Sequence, residues 1–194
     1  MAKSDASRPE FWEKRFRDNF TPWDAGRVPS DLGRFLRTAG KMRVLIPGCG
    51  SGYEVRAFAE AGHETLAVDF APAAVERAQA MLGPFSDRVR LADFFGSDLG
   101  ASFDLVYERA FLCSLPRPLR PRYAERVAEL LGPRGRIAGF FFFEESERGP
   151  PFGLKPGELE LLLGARFERT ADAAVEDSIP IFSGKERWQV WTRA

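Results

Sequence analysis

Histidine is almost missing from this chain of 194 residues: His63 stands alone, which leaves no Ser-His-Asp set and no well-placed imidazole base. Cysteine is nearly as scarce. Cys49 and Cys113 offer neither a disulfide framework nor metal-ligand spacing, so no metal site is expected. An excess of charge is lacking too, since 28 Lys and Arg balance 28 Asp and Glu. No global field therefore recruits nucleic acid or an anionic membrane. No segment approaches transmembrane length, and the opening Met-Ala-Lys-Ser-Asp-Ala-Ser has no apolar signal core. Internal repeats and low-complexity linkers are absent from the sequence. These absences predict a soluble, cytoplasmic protein of a reducing compartment, a monomer or weak dimer, with residues 1–194 as one domain.

What is present centres on Arg43-Val-Leu-Ile-Pro-Gly-Cys-Gly-Ser-Gly52 and Leu66-Ala-Val-Asp69. Val44, Leu45 and Ile46 form a short apolar run suited to a buried parallel strand. Pro47 ends its ladder, and Gly48, Gly50 and Gly52 make a loop whose backbone can lie against a ligand. A helix follows with Val55, Phe58 and Ala59 on one face, stopped by Gly62. The next apolar run ends in Asp69, 21 residues after Gly48, where an acid meets ribose hydroxyls. A dinucleotide fold needs G-x-G-x-x-G so that helix amides receive a pyrophosphate. Here the third glycine comes one position early and Tyr53 takes its place, which disfavours a nicotinamide-dependent dehydrogenase. The G-x-G-x-G form resembles the cofactor loop of class I S-adenosylmethionine-dependent methyltransferases, whose cofactor has no phosphate to cradle.

Taken in order, residues 1–8 are polar and expected to fray. Pro9 opens a helix with Phe11, Trp12, Arg15 and Phe16 at helical spacing. Phe20 to Pro29 is rich in breakers yet carries Trp23, so it needs a burial partner. Trp12 and Trp23 read either as core staples or as part of a lid over a ligand cleft. Ser30 can cap the next helix, which bears Leu32, Phe35 and Leu36. Pro72 starts another, with Val75, Ala78 and Leu82 on one face. Val89 to Ala92 forms a third strand closing in Asp93-Phe94-Phe95, which suits a purine or, equally, a core Phe pair behind a capping Asp. Strand four is Phe103 to Tyr107, strand five Arg136 to Phe143, and a helix with Tyr123, Val127 and Leu130 lies between them. Alternating strands and helices imply a parallel sheet with right-handed crossovers. A short helix around Leu159, Leu162 and Leu163 precedes a final antiparallel pair, Phe167 to Val175 and Arg187 to Thr192.

Several stretches together resemble the thiopurine S-methyltransferase family, nearest its plant and fungal halide/thiol branch. They are Trp12-Glu-Lys, Thr21-Pro-Trp-Asp-Ala-Gly-Arg27, Leu45-Ile-Pro-Gly-Cys-Gly50, Asp93-Phe-Phe95, Leu112-Cys-Ser-Leu-Pro116 and Gly149-Pro-Pro-Phe152. Pro47 in place of an acid before the glycine loop is similar to that family as well. The resemblance implies a Rossmann-like α/β fold. Its seven-stranded, mostly parallel sheet carries helices on both faces and a final antiparallel strand, with S-adenosylmethionine across the ends of the first strands. It further implies that residues 9–29 form a lid contacting the cofactor through Trp12, Trp23 and Arg27. Gly48, Gly50 and Asp69 match the cofactor loop and ribose acid, and Asp93 with Phe94 matches the adenine end. Tyr107 and Arg109 match the methyl-transfer site, with Phe111 and Phe152 in the acceptor pocket. Phe152 stands where a tyrosine is common in the halide/thiol branch, which removes a hydroxyl. Gly149-Pro-Pro-Phe152 also resembles in letters a signature of amino-group methyltransferases on nucleic acids. That signature belongs after strand four, where this chain has Tyr107-Glu-Arg-Ala-Phe111.

The implied reaction moves a methyl group to a small soft nucleophile, a thiol, thiocyanate or halide, by in-line displacement. Such a reaction is mainly a positioning problem. Arg109 can favour a thiolate electrostatically, or it can pair with Glu108 or Asp104 and only hold its loop. Two other readings stay open: a small-molecule O- or N-methyltransferase, and a non-catalytic S-adenosylmethionine-binding regulatory protein.

Overall fold

The computed structural model describes residues 5–194. Seven strands form one sheet in the order β3-β2-β1-β4-β5-β7-β6. They are β1 (Arg43–Pro47), β2 (Glu64–Asp69), β3 (Val89–Leu91), β4 (Phe103–Arg109), β5 (Leu131–Phe142), β6 (Phe167–Ala174) and β7 (Glu186–Arg193). The pairs from β3 to β5 are parallel, and β7 runs antiparallel to both β5 and β6. This is the expected class I architecture, and β7 is its antiparallel strand.

The helices are α1 (Pro9–Arg17), α2 (Ser30–Thr38), α3 (Tyr53–Glu60), α4 (Pro72–Leu82), α5 (Arg120–Leu130) and α6 (Glu158–Leu163). Strand alternation sorts the core into two layers. Leu45, Val106, Ile137 and Phe141 pack with Tyr123 and Val127 of α5 and Leu159 of α6. Val44, Ile46, Leu105, Tyr107 and Phe140 pack on the other face with Leu32 of α2, Phe58 of α3 and Val75 of α4. The strands β1 and β4 are buried on both faces, which is why they read as continuous apolar runs.

Three expectations need correction. Residues 1–4 of the segment expected to fray lie outside the described residues, but Ala6 is buried and its carbonyl accepts the Trp12 indole N–H at 2.8 Å. Ser30 is the first residue of α2 rather than its cap. Its backbone N–H donates to Asp177 Oδ2 at 2.9 Å, so a distant carboxylate does the capping. Strand β5 begins at Leu131 instead of Arg136, because Leu131 pairs with Phe103 before residues 132–135 bulge out and Arg136 meets Leu105.

Candidate active site

Strand β1 lies between β2 and β4, so chain connections diverge to either side of its carboxyl end. Open α/β sheets form their ligand crevice at such a switch point. Here the crevice is a cleft of about 730 Å³. Its floor is the glycine loop. Gly48 and Gly50 have φ of +59° and +51°, in the left-handed region. A Cβ on Gly48 would lie 2.5 Å from Cδ2 of Phe111, so the loop after β4 rests directly on this backbone.

Asp69 at the end of β2 is buried beside the cleft. Its Oδ2 accepts the Gly50 N–H at 3.2 Å and its Oδ1 the Ala71 N–H at 3.0 Å. Burial pushes its carboxyl up to about 6, although those amides pull the other way. Next to it, Asp93 lines the cleft and its Oδ1 accepts the Phe95 N–H at 3.0 Å. Phe94 is buried and meets Phe111 edge to face, with centroids 5.1 Å apart. Asp93 thus caps its turn and Phe94 packs in the core, as the core reading expects, and both also face the cleft.

Trp12 and Trp23 pack as staples and also face the cleft. Their rings meet edge to face at 5.3 Å and pack on Phe16, Ala71, Ala73 and Ala74, yet both line the cleft. Helix α1 is docked on α4, with Glu13 accepting the Ala73 N–H at 2.7 Å and Arg77 donating to the Phe16 carbonyl at 2.9 Å. Arg27 lines the cleft with its guanidinium tied to Asp177, at 2.7 Å to Oδ2 and 2.8 Å to the carbonyl.

At the end of β4, Arg109 faces the cleft and pairs with Glu186 rather than with Glu108 or Asp104. Asp104 accepts the Arg43 backbone N–H instead. The buried Glu108 accepts the N–H groups of Phe111 at 2.8 Å and Leu112 at 2.9 Å through Oε1, and the Tyr123 hydroxyl at 3.0 Å through Oε2. Burial pushes Glu108 up to about 7.

Two expected site residues are not in the cleft. Tyr107 is fully buried in the core, its ring 5.2 Å from that of Phe58 and its hydroxyl without a partner among the described residues. It sits two residues before the strand's edge, so its side chain lies under the sheet's core and not at its rim. Phe152 turns back over its own loop: a Cβ on Gly149 would lie 2.3 Å from Phe152 Cδ1. Pro150 and Pro151 face the cleft in its place.

A family profile described as thiopurine S-methyltransferase matches residues 7–194. The chain belongs to this family. The probable thiol methyltransferase 2 of Arabidopsis thaliana is 29% identical over 191 residues, covering 94% of this chain and 84% of the relative. The thiopurine S-methyltransferase of Bordetella petrii is 30% identical over 181 residues, covering 82% and 83%. Among solved structures, the fold is shared with 1,6-didemethyltoxoflavin-N1-methyltransferase of Burkholderia thailandensis, bound to 1,6-didemethyltoxoflavin and S-adenosylhomocysteine. The TM-score is 0.76 at 20% identity, over 96% of this chain and 87% of that one. The chain is an S-adenosylmethionine-dependent methyltransferase.

The cleft of this methyltransferase fits that cofactor. The volume lies within the usual range for small-molecule sites, about 300–1,000 Å³. A buried carboxylate, Asp69, stands beside an aromatic wall, and the glycine loop leaves its backbone bare between them. Sequence reasoning missed Glu54, in the first turn of α3, whose carboxylate lines the cleft. It also missed the Ser51 hydroxyl that donates to Asp24 Oδ2, tying the segment before α2 to the glycine loop. Phe182 and Glu186, from the far end of the chain, were missed as well. An acid directly after a glycine loop is a local signal for Glu54; the C-terminal residues leave none.

Proposed function

We propose that this methyltransferase transfers the methyl group of S-adenosylmethionine to a small soft nucleophile, a thiol, thiocyanate or halide, by in-line displacement. One observation carries the reading: the chain's single imidazole stands away from the cleft, and the two thiols in the cleft wall are buried. His63 lies in the core with Nδ1 accepting the Met42 N–H at 3.2 Å, and burial holds its pKa down. Tyr107 is sealed off, and burial raises it further. Burial also pushes both cysteine thiols up, so neither offers a thiolate. An acceptor that brings its own nucleophilic lone pair suits such a cleft, and a hydroxyl of high pKa does not.

Bound S-adenosylmethionine supplies a methyl group already activated on a sulfonium. In this reading Asp69 accepts the ribose hydroxyls, and Phe94 with Asp93 receives the adenine. Trp12 and Trp23 cover the cofactor and, with Phe111 and Phe182, exclude water, while Arg27 holds the lid to the 177 loop. Arg109 commits one terminal nitrogen to Glu186. Its Nε and second terminal nitrogen make no hydrogen bond to another described residue, which leaves them for an anionic acceptor. A closed, apolar site favours neutralising an anion against a cation over keeping both in water. The same reading takes the enzyme as cytoplasmic and as a monomer or weak dimer acting without nucleic acid or membrane. Both cysteines are free and buried, as a reducing compartment allows. No described helix is long and apolar enough to cross a membrane.

Headspace analysis with iodide, thiocyanate, hydrosulfide and a simple thiol tests the acceptor class. Volatile methylated products are expected from at least one of them at rates above catechol and amine controls. Faster turnover of a catechol or an amine overturns the reading.

A further inference from the structure

Among the described residues, four that are not glycine take a left-handed φ: Asn19, Ser102, Ala110 and Arg134. The other three are exposed, and only Ala110, at +58°, lines the cleft. Alanine has no polar side chain to hydrogen-bond this conformation into place, and an L-residue pays a steric cost there. Such a turn persists where its surroundings over-determine it. On either side of Ala110 stand the two residues through which β4 meets the cleft. Arg109 ends the strand, and Phe111 lays its ring on the glycine loop, with Cδ2 2.5 Å from where a Cβ on Gly48 would be.

Glu108 is what holds the turn. Its carboxylate is 1% exposed and takes no cation among the described residues, since Arg109 pairs with Glu186. Its three hydrogen bonds come from neutral donors. Oε1 takes both amides that follow Ala110, Phe111 at 2.8 Å and Leu112 at 2.9 Å, while Oε2 takes the Tyr123 hydroxyl of α5 at 3.0 Å. The side chain before Ala110 is thus tied to the backbone after it, which closes the turn, and the closed turn is tied to α5. The Cys113 thiol adds only a weak donor to the Ala110 carbonyl, at 3.4 Å. A carboxylate in this place is costlier to bury than an apolar side chain, so core packing alone does not account for it. Glu108 does not itself line the cleft, so any effect on ligands passes through its neighbours. We infer that Glu108 is the positioning residue of the methyl-transfer site. By closing the left-handed turn at Ala110 it aims the Arg109 guanidinium into the cleft and seats the Phe111 ring on the glycine loop. The part played by Arg109 rests on the function proposed above; the seating of Phe111 does not.

A rescue experiment tests this. Rates with a simple thiol and with thiocyanate are measured per S-adenosylhomocysteine-binding site, counted by calorimetry, so that unfolded enzyme does not count. Glu108→Gln keeps an oxygen for the two amides and should stay within about threefold of wild type. Glu108→Leu fills the space without an acceptor and should lose about 5–30-fold in kcat/KM, the equilibrium weight of one left-handed residue. Glycine takes the same φ without strain, so Glu108→Leu/Ala110→Gly should regain at least about threefold of that loss. Should the leucine variant fail to fold, Glu108→Asp carries the same expectations, because it keeps the charge and draws the oxygens back from the amides by one methylene. A Glu108→Leu or Glu108→Asp enzyme as active per site as wild type overturns the inference, and so does a loss that Ala110→Gly leaves untouched. If even the wild type turns over neither acceptor, the proposed function fails on its own, and S-adenosylhomocysteine affinity decides the rest. That affinity should then fall in Glu108→Leu and recover with Ala110→Gly, because Phe111 rests on the glycine loop. An affinity unchanged in Glu108→Leu overturns the seating of Phe111 as well.

Discussion

Arg109 and Glu186 reach across β5 to form an ion pair, and the guanidinium carbon stands 4.5 Å from the centroid of Phe140 beneath it. Both side chains are largely buried, and Ser178 donates its hydroxyl to the other Glu186 oxygen at 2.7 Å. The pair thus ties the end of β4 to β7 and presents a cation to the cleft. Arg109→Leu would strand a buried carboxylate, at a cost of about 3–5 kcal/mol for a pair of this kind. The double variant Arg109→Leu/Glu186→Leu should recover most of that stability in urea unfolding. It should recover none of the activity, if Arg109 acts on the acceptor.

The glycine loop makes a second expectation. Gly48→Ala meets both a left-handed φ and the Phe111 ring. Gly184→Ala has a similar φ, +73°, and open space around the new methyl. Its cost should be the conformational one alone, about 1–2 kcal/mol. Gly48→Ala should lose clearly more and also weaken S-adenosylhomocysteine binding in calorimetry. Phe111→Ala on the Gly48→Ala background should restore part of the stability. Equal losses at the two glycines would show that the Phe111 contact carries no weight.

The glycine loop and Asp69 were legible because strand, turn and helix there follow one another within 30 residues, and each leaves a local mark. The parallel pairing of the first five strands followed from the alternation of strands and helices. Tyr107 misled because proximity in sequence to Arg109 says nothing about depth, and two residues of strand carry a side chain from the rim into the core. Phe152 misled because its ring direction depends on the path of a Pro-rich loop. The pairs Arg27–Asp177 and Arg109–Glu186 join residues 150 and 77 positions apart, so no local pattern could announce them.

The pH dependence of stability follows from two buried acids. Asp69 titrates at about 6 against an ordinary 3.8, and Glu108 at about 7 against 4.5. With pKa values raised in the folded state, the native protein holds these protons more tightly than the unfolded chain. Their stabilising contribution is complete below the unfolded values and is lost as pH rises through about 6 to 7. Each unit of upward shift corresponds to about 1.4 kcal/mol. Urea unfolding of the unliganded enzyme should therefore show a component that weakens between pH 4 and 7. Glu108→Gln, which keeps an oxygen for the Phe111 and Leu112 amides and a donor for Tyr123, should flatten the upper part. An unchanged slope in that variant would assign the effect to other groups.

Ligand binding has the opposite sign. If ribose hydroxyls donate to Asp69, the ionised carboxylate is the stronger acceptor, so affinity for S-adenosylhomocysteine should rise with pH through about 6 and binding at pH 6 should release protons. Calorimetry in buffers of different ionisation enthalpy reads that release directly. Asp69→Ala should abolish the pH step and weaken binding by about 1–3 kcal/mol. Proton release that survives Asp69→Ala would place the titrating group elsewhere.

The acceptor itself gives the most exposed prediction. A thiol must lose its proton before it attacks, and a free thiol has a pKa of about 8.5. With the single imidazole outside the cleft and both thiols buried, the solution thiolate is the species expected to enter. Thus kcat/KM for a simple thiol should climb with pH towards the thiol's own pKa. Iodide and thiocyanate need no deprotonation, so once cofactor is saturating their rates should stay nearly flat above pH 7. The lid sets a common requirement for both. If Trp12 and Trp23 close over cofactor, its addition should slow hydrogen exchange across residues 10–29, and Trp23→Ala should depress thiol and halide rates together by admitting water. Exchange unchanged by cofactor would return the two tryptophans to the role of staples on α4. A thiol rate that peaks well below the thiol's pKa would mean that a protein group takes the proton after all, and Glu54 is the carboxylate in the cleft that would then have to be considered first.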